Sequence, residues 1–133
     1  MISFLWQLPQ NILAIFIQLI SFDKEYKVSM EGVVYNILHK SILPRYTAIS
    51  LGNYILARDD MDISVRLHEK GHQIQSLYLG PLYLIVIGIP SILRMLIKII
   101  FHKDNAWYYS GYPENWADNL GNRWYKNAKR RFH

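Results

Sequence analysis

The sequence predicts an α+β fold in one domain, and three observations lead to that prediction. Apolar residues recur at helical spacing across residues 61–79, β-branched and aromatic residues are concentrated between residues 28 and 57, and two long apolar stretches contain no charged side chain. The chain has 133 residues, which suffices for one modest core. We therefore expect a small antiparallel sheet of two or three strands, then a helix over 61–79, with apolar helical segments flanking both.

The first apolar stretch is N-terminal, and residues Ile2 to Phe22 include no charged side chain. A bilayer crossing needs about 20 apolar residues, and the stretch has neither a basic flank nor a small-residue cleavage site. We predict a transmembrane anchor helix over residues 1–23; a soluble amphipathic helix is the alternative, because Pro9 and three amides weaken the apolar signal. Its polar and small side chains form one stripe, which we expect to face protein: Gln7, Asn11, Ala14, Gln18 and Ser21.

The helix predicted before the second apolar stretch carries the sequence HEKGH at residues 68–72. Residues four apart share one helix face, so His68 and His72 can bind the same zinc ion, and Glu69 can take a proton from a water molecule that the zinc activates. Gly71 costs about 1 kcal/mol in a helix relative to alanine, which predicts a close backbone approach there. A surface helix with two histidines by chance is the alternative.

A third zinc ligand is predicted in the sequence ENWAD, some forty residues further on. Glu114 and Asp118 share one face of a helix that we expect to begin after Pro113. Glu114 can then reach the metal, while Asp118 accepts the other ring N–H of a ligand histidine and fixes its tautomer. An acidic first turn that only complements the helix dipole is the alternative.

HExxH followed by ExxAD resembles the pattern of gluzincin metallopeptidases, across residues 47–121. With its hydrophobic segments, the chain is most similar to the membrane-embedded members: prenyl-protein proteases, bacterial heat-shock membrane proteases and the protease domains of antibiotic-sensing receptors. The stretch HEKGHQIQSLYLGPLYLIVIGIPS is also similar to one found in short, uncharacterised bacterial membrane proteins. The resemblance implies a minimal zincin-like domain over residues 24–133 with these roles: ligands His68, His72 and Glu114, general base Glu69, and Asp118 behind a ligand.

Lys70 departs from this pattern, because a bulky apolar residue is the expected occupant of a buried active-site helix. If its ammonium group points outward, the site can be catalytic. If it points at the metal position, its charge competes with zinc and the site is degenerate. The sequence therefore leaves two alternatives open: a zinc-binding regulatory membrane protein without turnover, and a membrane-surface adaptor in which HExxH is incidental.

The second uncharged stretch, Leu77 to Leu93, lies between the predicted ligands, so the chain must return to the same ion. Pro90 divides the apolar region into pieces of about a dozen residues, each about 18 Å long if helical and too short for a hydrocarbon core of about 30 Å. We predict a re-entrant or interfacial hairpin over residues 77–101. Its second arm places basic side chains opposite apolar ones, which predicts contact with the membrane surface: Arg94, Lys98 and His102.

The formal net charge is +5, and all fifteen lysines and arginines follow the first apolar stretch. The positive-inside rule then predicts a cell-membrane protein whose catalytic part faces the cytoplasm. The basic tail over residues 123–133, with Arg130 and Arg131, predicts attraction to anionic lipids. No nucleic-acid motif accompanies this charge, so we expect lipids and a peptide or protein substrate as partners. Cysteine is absent, which excludes disulfides and thiolate metal sites.

Two further groups of residues are candidates for substrate contacts. By analogy with gluzincins, the strand just before the metal helix is the one whose edge pairs with an extended substrate, a plain core hairpin being the alternative. Its residues are Ile49, Ser50, Leu51, Gly52 and Asn53. Three aromatic residues before Glu114 are possible oxyanion donors, although such clusters more often serve packing: Tyr108, Tyr109 and Tyr112. The function predicted from the sequence is a small membrane-associated zinc metallopeptidase.

Overall fold

The structure is a computed structural model that describes residues 2–30, 32–43, 45 and 47–132, without the side chains of residues 130–132. Within these ranges the protein is α+β, with six α-helices and one four-stranded sheet. The N-terminal half contains α1 (Ile2–Trp6), α2 (Leu8–Leu19), β1 (Phe22–Val28), β2 (Val34–Lys40), β3 (Ala48–Leu51) and β4 (Tyr54–Ala57). The C-terminal half contains α3 (Ile63–Leu79), α4 (Ile89–Ile100), α5 (Asn105–Ser110) and α6 (Glu114–Phe132).

The sheet has the strand order β1-β2-β4-β3, so β1 and β3 form its two edges. β1 pairs with β2 and β3 pairs with β4 in antiparallel fashion, but β2 and β4 are parallel, with Asn36 opposite Leu56. The expectation of an antiparallel sheet of two or three strands is therefore wrong, because the sheet is mixed and has four strands. The reason is the connection after β2, which leads to the far edge and lets β4 return between β2 and β3.

Side chains alternate between the two faces of the sheet, as the pleat requires. On one face, Tyr35 and Ile55 belong to a buried cluster against which Val65 of α3 and Trp124 of α6 pack. On the other face, Leu56 packs in a second cluster with residues of α2. The sheet thus lies between α2 on one side and the pair α3 and α6 on the other.

The single helix expected over residues 1–23 is wrong, because α1 ends at Trp6, α2 begins at Leu8, and Phe22 already begins β1. Pro9 explains the break. It lies in the first turn of α2, where its missing N–H is tolerated, but its ring is incompatible with continuing the helix from α1. Among the described residues, no helix has both the length and the apolar character that a membrane crossing requires.

The polar stripe of this region does face protein, as expected. Gln7, Asn11, Ala14 and Ser21 are buried, and Gln18 is half-buried. Gln10, also buried, donates hydrogen bonds from Nε2 to Ser76 Oγ (2.9 Å) and to the carbonyl oxygen of Gly80 (2.8 Å). Gln10 of α2 therefore anchors the C-terminal end of α3, while Ile12, Phe16 and Leu19 of α2 are exposed.

Helices α3 and α6 cross with their backbones in contact. An added Cβ at Gly71 of α3 would lie 1.7 Å from the carbonyl oxygen of Ala117, and one at Gly121 of α6 would lie 1.8 Å from that of Leu67. The close approach predicted at Gly71 is thus confirmed. The helices predicted over 61–79 and after Pro113 are also confirmed, with Asp62 capping α3 by accepting from Val65 N at 3.0 Å.

The apolar region between these helices follows a helical path. A 3₁₀ turn (Gly80–Leu82) and a π-helical segment (Leu84–Gly88) lead into α4. Pro90 lies in the first turn of α4, where proline is well tolerated, so the interruption expected at Pro90 is wrong. The break falls instead at Gly80, whose φ of +56° suits glycine.

Candidate metal centre

Three side chains converge at the crossing of α3 and α6. Oε2 of Glu114 lies 2.7 Å from Nε2 of His68 and 2.8 Å from Nε2 of His72, and the two Nε2 atoms are 3.1 Å apart. All three residues are buried. The predicted ligand set is therefore brought to one point, and this buried His-His-Glu group could hold a metal ion.

The outward-facing ring nitrogens of both histidines have partners. Nδ1 of His68 lies 2.8 Å from Oδ1 of Asp118, and Nδ1 of His72 lies 2.7 Å from Oε1 of Gln75. Gln75 in turn donates to the carbonyl oxygen of Pro113 at 3.2 Å. Each contact favours the tautomer with the proton on Nδ1, which leaves both Nε2 lone pairs available to a metal.

The second carboxylate oxygen of Glu114 is held from the other side. Oε1 accepts hydrogen bonds from the hydroxyl groups of Ser91 and of Tyr108, the latter at 3.1 Å. These two residues come from α4 and α5, so the segment between α3 and α6 orients Glu114. Oε2 alone faces the histidines.

The electrostatics of the group favour a positive charge at its centre. Burial disfavours the charged form of His68, but hydrogen bonds to Asp118 and Glu114 outweigh it and raise the pKa of His68 to about 10. Burial also raises the pKa of Glu114, yet hydrogen bonds to both histidines hold it well below its usual range. The group therefore stabilises a positive charge at the position where a bound metal cation would lie.

The donor set fits zinc. Two imidazole nitrogens and one carboxylate oxygen form the three-ligand set of catalytic zinc sites, which leave a fourth position open. Glu69 stands beside that set, buried, with Oε2 lacking any hydrogen-bond partner within the described residues. Burial raises the pKa of Glu69, as suits a general base.

Lys70 does not point at this group. Its Nζ atom donates to Oε1 of Gln73 at 3.1 Å and lies 4.9 Å from the ring centroid of Trp124. The ammonium group thus contacts a neighbour on its own helix and an indole of α6. The contacts of Lys70 give no support to the degenerate arrangement that the sequence left open.

A cavity of about 130 Å³ adjoins the metal-site residues, and its wall includes Glu69 and His72. Strand β3 forms another side of it. Because β3 is an edge strand, the predicted edge lies along this cavity for Ile49 to Leu51. Gly52 and Asn53 instead form the turn to β4, where Asn11 Oδ1 accepts the backbone N–H of Asn53 at 2.8 Å.

The three predicted oxyanion donors have different surroundings. The Tyr108 hydroxyl group donates to Glu114, whereas that of Tyr112 donates to the carbonyl oxygen of Val86 at 2.8 Å. Tyr109 stacks edge-on against His68 with 4.8 Å between ring centroids, on the side where Asp118 also lies. Of these three tyrosines, Tyr108 alone lines the cavity that also contains Glu69.

Two of the basic residues assigned to the membrane surface make contacts within the protein. Arg94 donates to the carbonyl oxygens of Trp107 and Tyr108, and Lys98 donates to Oδ1 of Asn105. These bonds join α4 to α5. His102 is exposed after α4, while the side chains of residues 130–131 lie outside the described part of the structure, although the backbone of both belongs to α6.

Sequence reasoning did not single out Ser91, Gln75 or Tyr83, the last of which lies in the wall of the cavity. Gln75 follows His72 by three residues on α3, and that spacing could have revealed it. Ser91 and Tyr83 reach the site only through the path of the intervening segment, and no spacing in the sequence indicates them.

Compared with protein-family models, curated proteins and solved structures, the chain matches none.

Proposed function

We propose that this protein is a small zinc metallopeptidase that hydrolyses peptide bonds at a membrane surface. The convergence of His68, His72 and Glu114 is the observation that supports the proposal most strongly. The buried base Glu69 and the edge strand β3 lie beside the same cavity, which gives the group a place for an extended peptide.

Each residue has a distinct task in this proposal. The two histidines and Glu114 would hold the ion, and zinc bound there would polarise a carbonyl group and lower the pKa of water. Glu69 takes the proton from the attacking water and passes it to the departing amine. Asp118 and Gln75 orient the two histidines, and the hydroxyl groups of Ser91 and Tyr108 orient Glu114. Substrate main-chain groups pair with β3 independently of sequence.

The proposed membrane association rests on the inverted polarity of α1, α2 and the region from Leu77 to Phe101. The amides of Gln7, Gln10 and Asn11 are buried, while apolar side chains such as Leu19 (74% exposed) and Ile100 (65% exposed) face outward. A large exposed apolar surface marks an interaction site, and buried amides with outward apolar side chains suit a lipid environment. We infer that these outer faces contact acyl chains of a cell membrane rich in anionic lipid. The cytoplasmic orientation stays a prediction, because the positive-inside rule presupposes a crossing helix.

Metal analysis of the purified full chain tests the site first. We expect about one zinc per chain in the wild type, and loss of zinc in His68→Ala and Glu114→Ala. His102→Ala, an exposed histidine, is the matched control and should retain metal. A wild type without stoichiometric zinc would overturn the proposal and leave the adaptor alternative.

Turnover separates a peptidase from a zinc-binding regulator. Glu69→Gln should bind zinc like the wild type but lose cleavage of fluorescein-labelled casein by at least about 100-fold, the usual effect of removing a general base. Equal cleavage by the wild type and Glu69→Gln would remove the assignment of the base. Zinc binding without any cleavage by the wild type would favour the regulatory alternative.

Vesicle sedimentation tests the membrane proposal. We expect the protein to sediment with phosphatidylcholine vesicles that contain phosphatidylglycerol, and the double variant Leu96→Gln/Ile100→Gln to bind at least about tenfold more weakly. Ile42→Gln, which alters an exposed apolar residue before β3, should bind like the wild type. Vesicle binding by the double variant equal to that of the wild type would contradict the membrane proposal, and so would self-association of the protein without vesicle binding.

A further inference from the structure

The cavity beside Glu69 has apolar walls and one polar region. Leu13, Leu84 and Ile92 contribute apolar surface from three different elements. Its polar side chains are those of Glu69, of Ser50 in β3 and of Tyr83, which follows the 3₁₀ turn, together with three residues of the candidate metal centre, namely His72, Ser91 and Tyr108. Such a pocket, apolar with a few placed polar groups, is typical of a ligand site.

Polar atoms of this cavity lack partners. Among the described residues, only three buried side-chain oxygen or nitrogen atoms have no hydrogen bond, and two of them, Ser50 Oγ and Glu69 Oε2, belong to residues lining this cavity. The Tyr83 hydroxyl group makes one long contact, 3.4 Å to the carbonyl oxygen of Ser50. Buried polar groups are nearly always paired, so their clustering here indicates that a ligand completes them.

Tyr83 is also the tyrosine best placed to face a substrate near Glu69. Its side chain is buried, 4% exposed, and its hydroxyl group is not engaged by a carboxylate. Tyr108, the other tyrosine of the cavity wall, already donates to Glu114. Burial raises the pKa of Tyr83 well above its usual value, so the hydroxyl group stays a neutral donor at physiological pH.

We propose that Tyr83 is a catalytic residue whose hydroxyl group donates a hydrogen bond to the carbonyl oxygen of the bond being cleaved, an assignment that rests on the proposed peptidase function. The bond strengthens as negative charge develops on that oxygen, which lowers the barrier. No covalent bond to Tyr83 forms and no proton leaves it. The weak contact with Ser50 positions the hydroxyl group before substrate arrives and is exchanged when the carbonyl group enters.

The test compares Tyr83→Phe with Tyr78→Phe, which removes a hydroxyl group from an exposed position on α3. Phenylalanine keeps the ring, so both variants should fold and hold wild-type zinc. With fluorescein-labelled casein, Tyr83→Phe should lose about 100-fold or more in kcat with little change in KM, as for other oxyanion donors. Tyr78→Phe should match the wild type.

A second readout needs no turnover. N-phosphoryl-Leu-Ala carries a tetrahedral, negatively charged group that mimics the transition state, so its dissociation constant should rise in Tyr83→Phe by about the factor lost in kcat. A peptide hydroxamate that lacks such a tetrahedral oxygen should bind both proteins alike. Wild-type kcat together with wild-type affinity for the phosphoryl dipeptide in Tyr83→Phe would overturn the proposal.

Failure of the proposed function has a different outcome. If the wild type binds neither zinc nor the phosphoryl dipeptide, the peptidase assignment is wrong and the role of Tyr83 is lost with it. If Tyr83→Phe does not fold, a crystal structure of the zinc-loaded wild type with the phosphoryl dipeptide decides. A phosphoryl oxygen within hydrogen-bonding distance of the Tyr83 hydroxyl group supports the proposal, and one placed elsewhere overturns it.

Discussion

Nδ1 of His68 lies 2.8 Å from Oδ1 of Asp118, on the side of the imidazole ring that faces away from Glu114. The imidazole ring of His68 thus lies between two carboxylates from one face of α6, those of Glu114 and Asp118. One of them belongs to the candidate ligand set and the other sets the tautomer, so the two acidic residues of ENWAD have separate effects that mutation can distinguish.

Asp118→Ala should weaken zinc binding without abolishing it. The carboxylate orients His68 and increases its basicity, and loss of such a partner typically costs about 10–100-fold in metal affinity. Competition with a chromophoric chelator measures the affinity. Asn119→Ala, at the exposed neighbouring position of α6, serves as control, and equal affinities for the two variants would refute the orienting role.

Ser91→Ala should weaken zinc binding by about tenfold through Glu114, because the carboxylate then keeps only Tyr108 on Oε1. Ser110→Ala removes an exposed serine hydroxyl of α5 and should have no effect. The double variant Ser91→Ala/Tyr108→Phe tests whether the two hydroxyl groups act together. Strictly additive losses would mean that they hold Glu114 independently.

Gly71→Ala should destabilise the fold by about 3 kcal/mol, because the new methyl group would collide with the backbone of Ala117. Gly88→Ala is the matched control, since the nearest atom to its added Cβ is 3.7 Å away. There the change should be within about 1 kcal/mol. Urea denaturation of both variants measures the difference, and similar midpoints would contradict the backbone contact between α3 and α6.

Asp60 predicts a pH dependence of stability that does not involve the metal centre. Hydrogen bonds from Tyr35 (2.5 Å) and Lys27 (3.0 Å) lower the pKa of Asp60 from 3.8 to about 2. Because the pKa of Asp60 is lower in the folded state than in the unfolded state, the ionised carboxylate stabilises the fold. This contribution to the free energy of unfolding is complete above about pH 4, near the unfolded pKa, and is lost as pH falls towards about 2.

The variant Asp60→Asn should therefore be less stable than the wild type at neutral pH, and its stability should fall less steeply over the same acid range. Thermal unfolding at a series of pH values gives both quantities. Tyr35→Phe, which removes one of the two donors, should lie between them. Parallel curves for wild type and Asp60→Asn would show that Asp60 has no such role.

The residues of the candidate metal centre could be predicted because helical spacing alone determines which side chains share a face. His68 and His72 on α3, and Glu114 and Asp118 on α6, lie where their spacing within each helix places them. That the two helices meet was inferred from the chemistry of the residues, and the glycine at position 71 was the local indication of a close contact. Local rules suffice for each helix separately.

Other parts of the fold depend on relations that no local rule contains. The parallel pairing of β2 with β4 requires the connection to reach the far edge of the sheet, and nothing in residues 41–47 indicates that path. The break between α1 and α2 is missed when hydropathy is averaged over a window that includes Pro9, and composition does not show that Gln7 and Gln10 are buried against Ser76. Ser91 and Tyr83 were missed for the same reason, since tertiary contacts alone bring them to the site.

The backbone contact at Gly71 and Gly121 fixes the crossing of α3 and α6, and the segment between these helices lies against that crossing. The crossing of α3 and α6 brings together His68, His72 and Glu114, and residues 80–113 form a cover that contacts Glu114 through the hydroxyl groups of Ser91 and Tyr108. In the proposed peptidase, substitutions in this cover that spare Tyr83, Ser91 and Tyr108 would alter which molecules enter the cavity and leave the contacts of Glu114 in place. Such a modular arrangement would let selectivity evolve faster than reactivity, and it makes the cover the natural target for redesign.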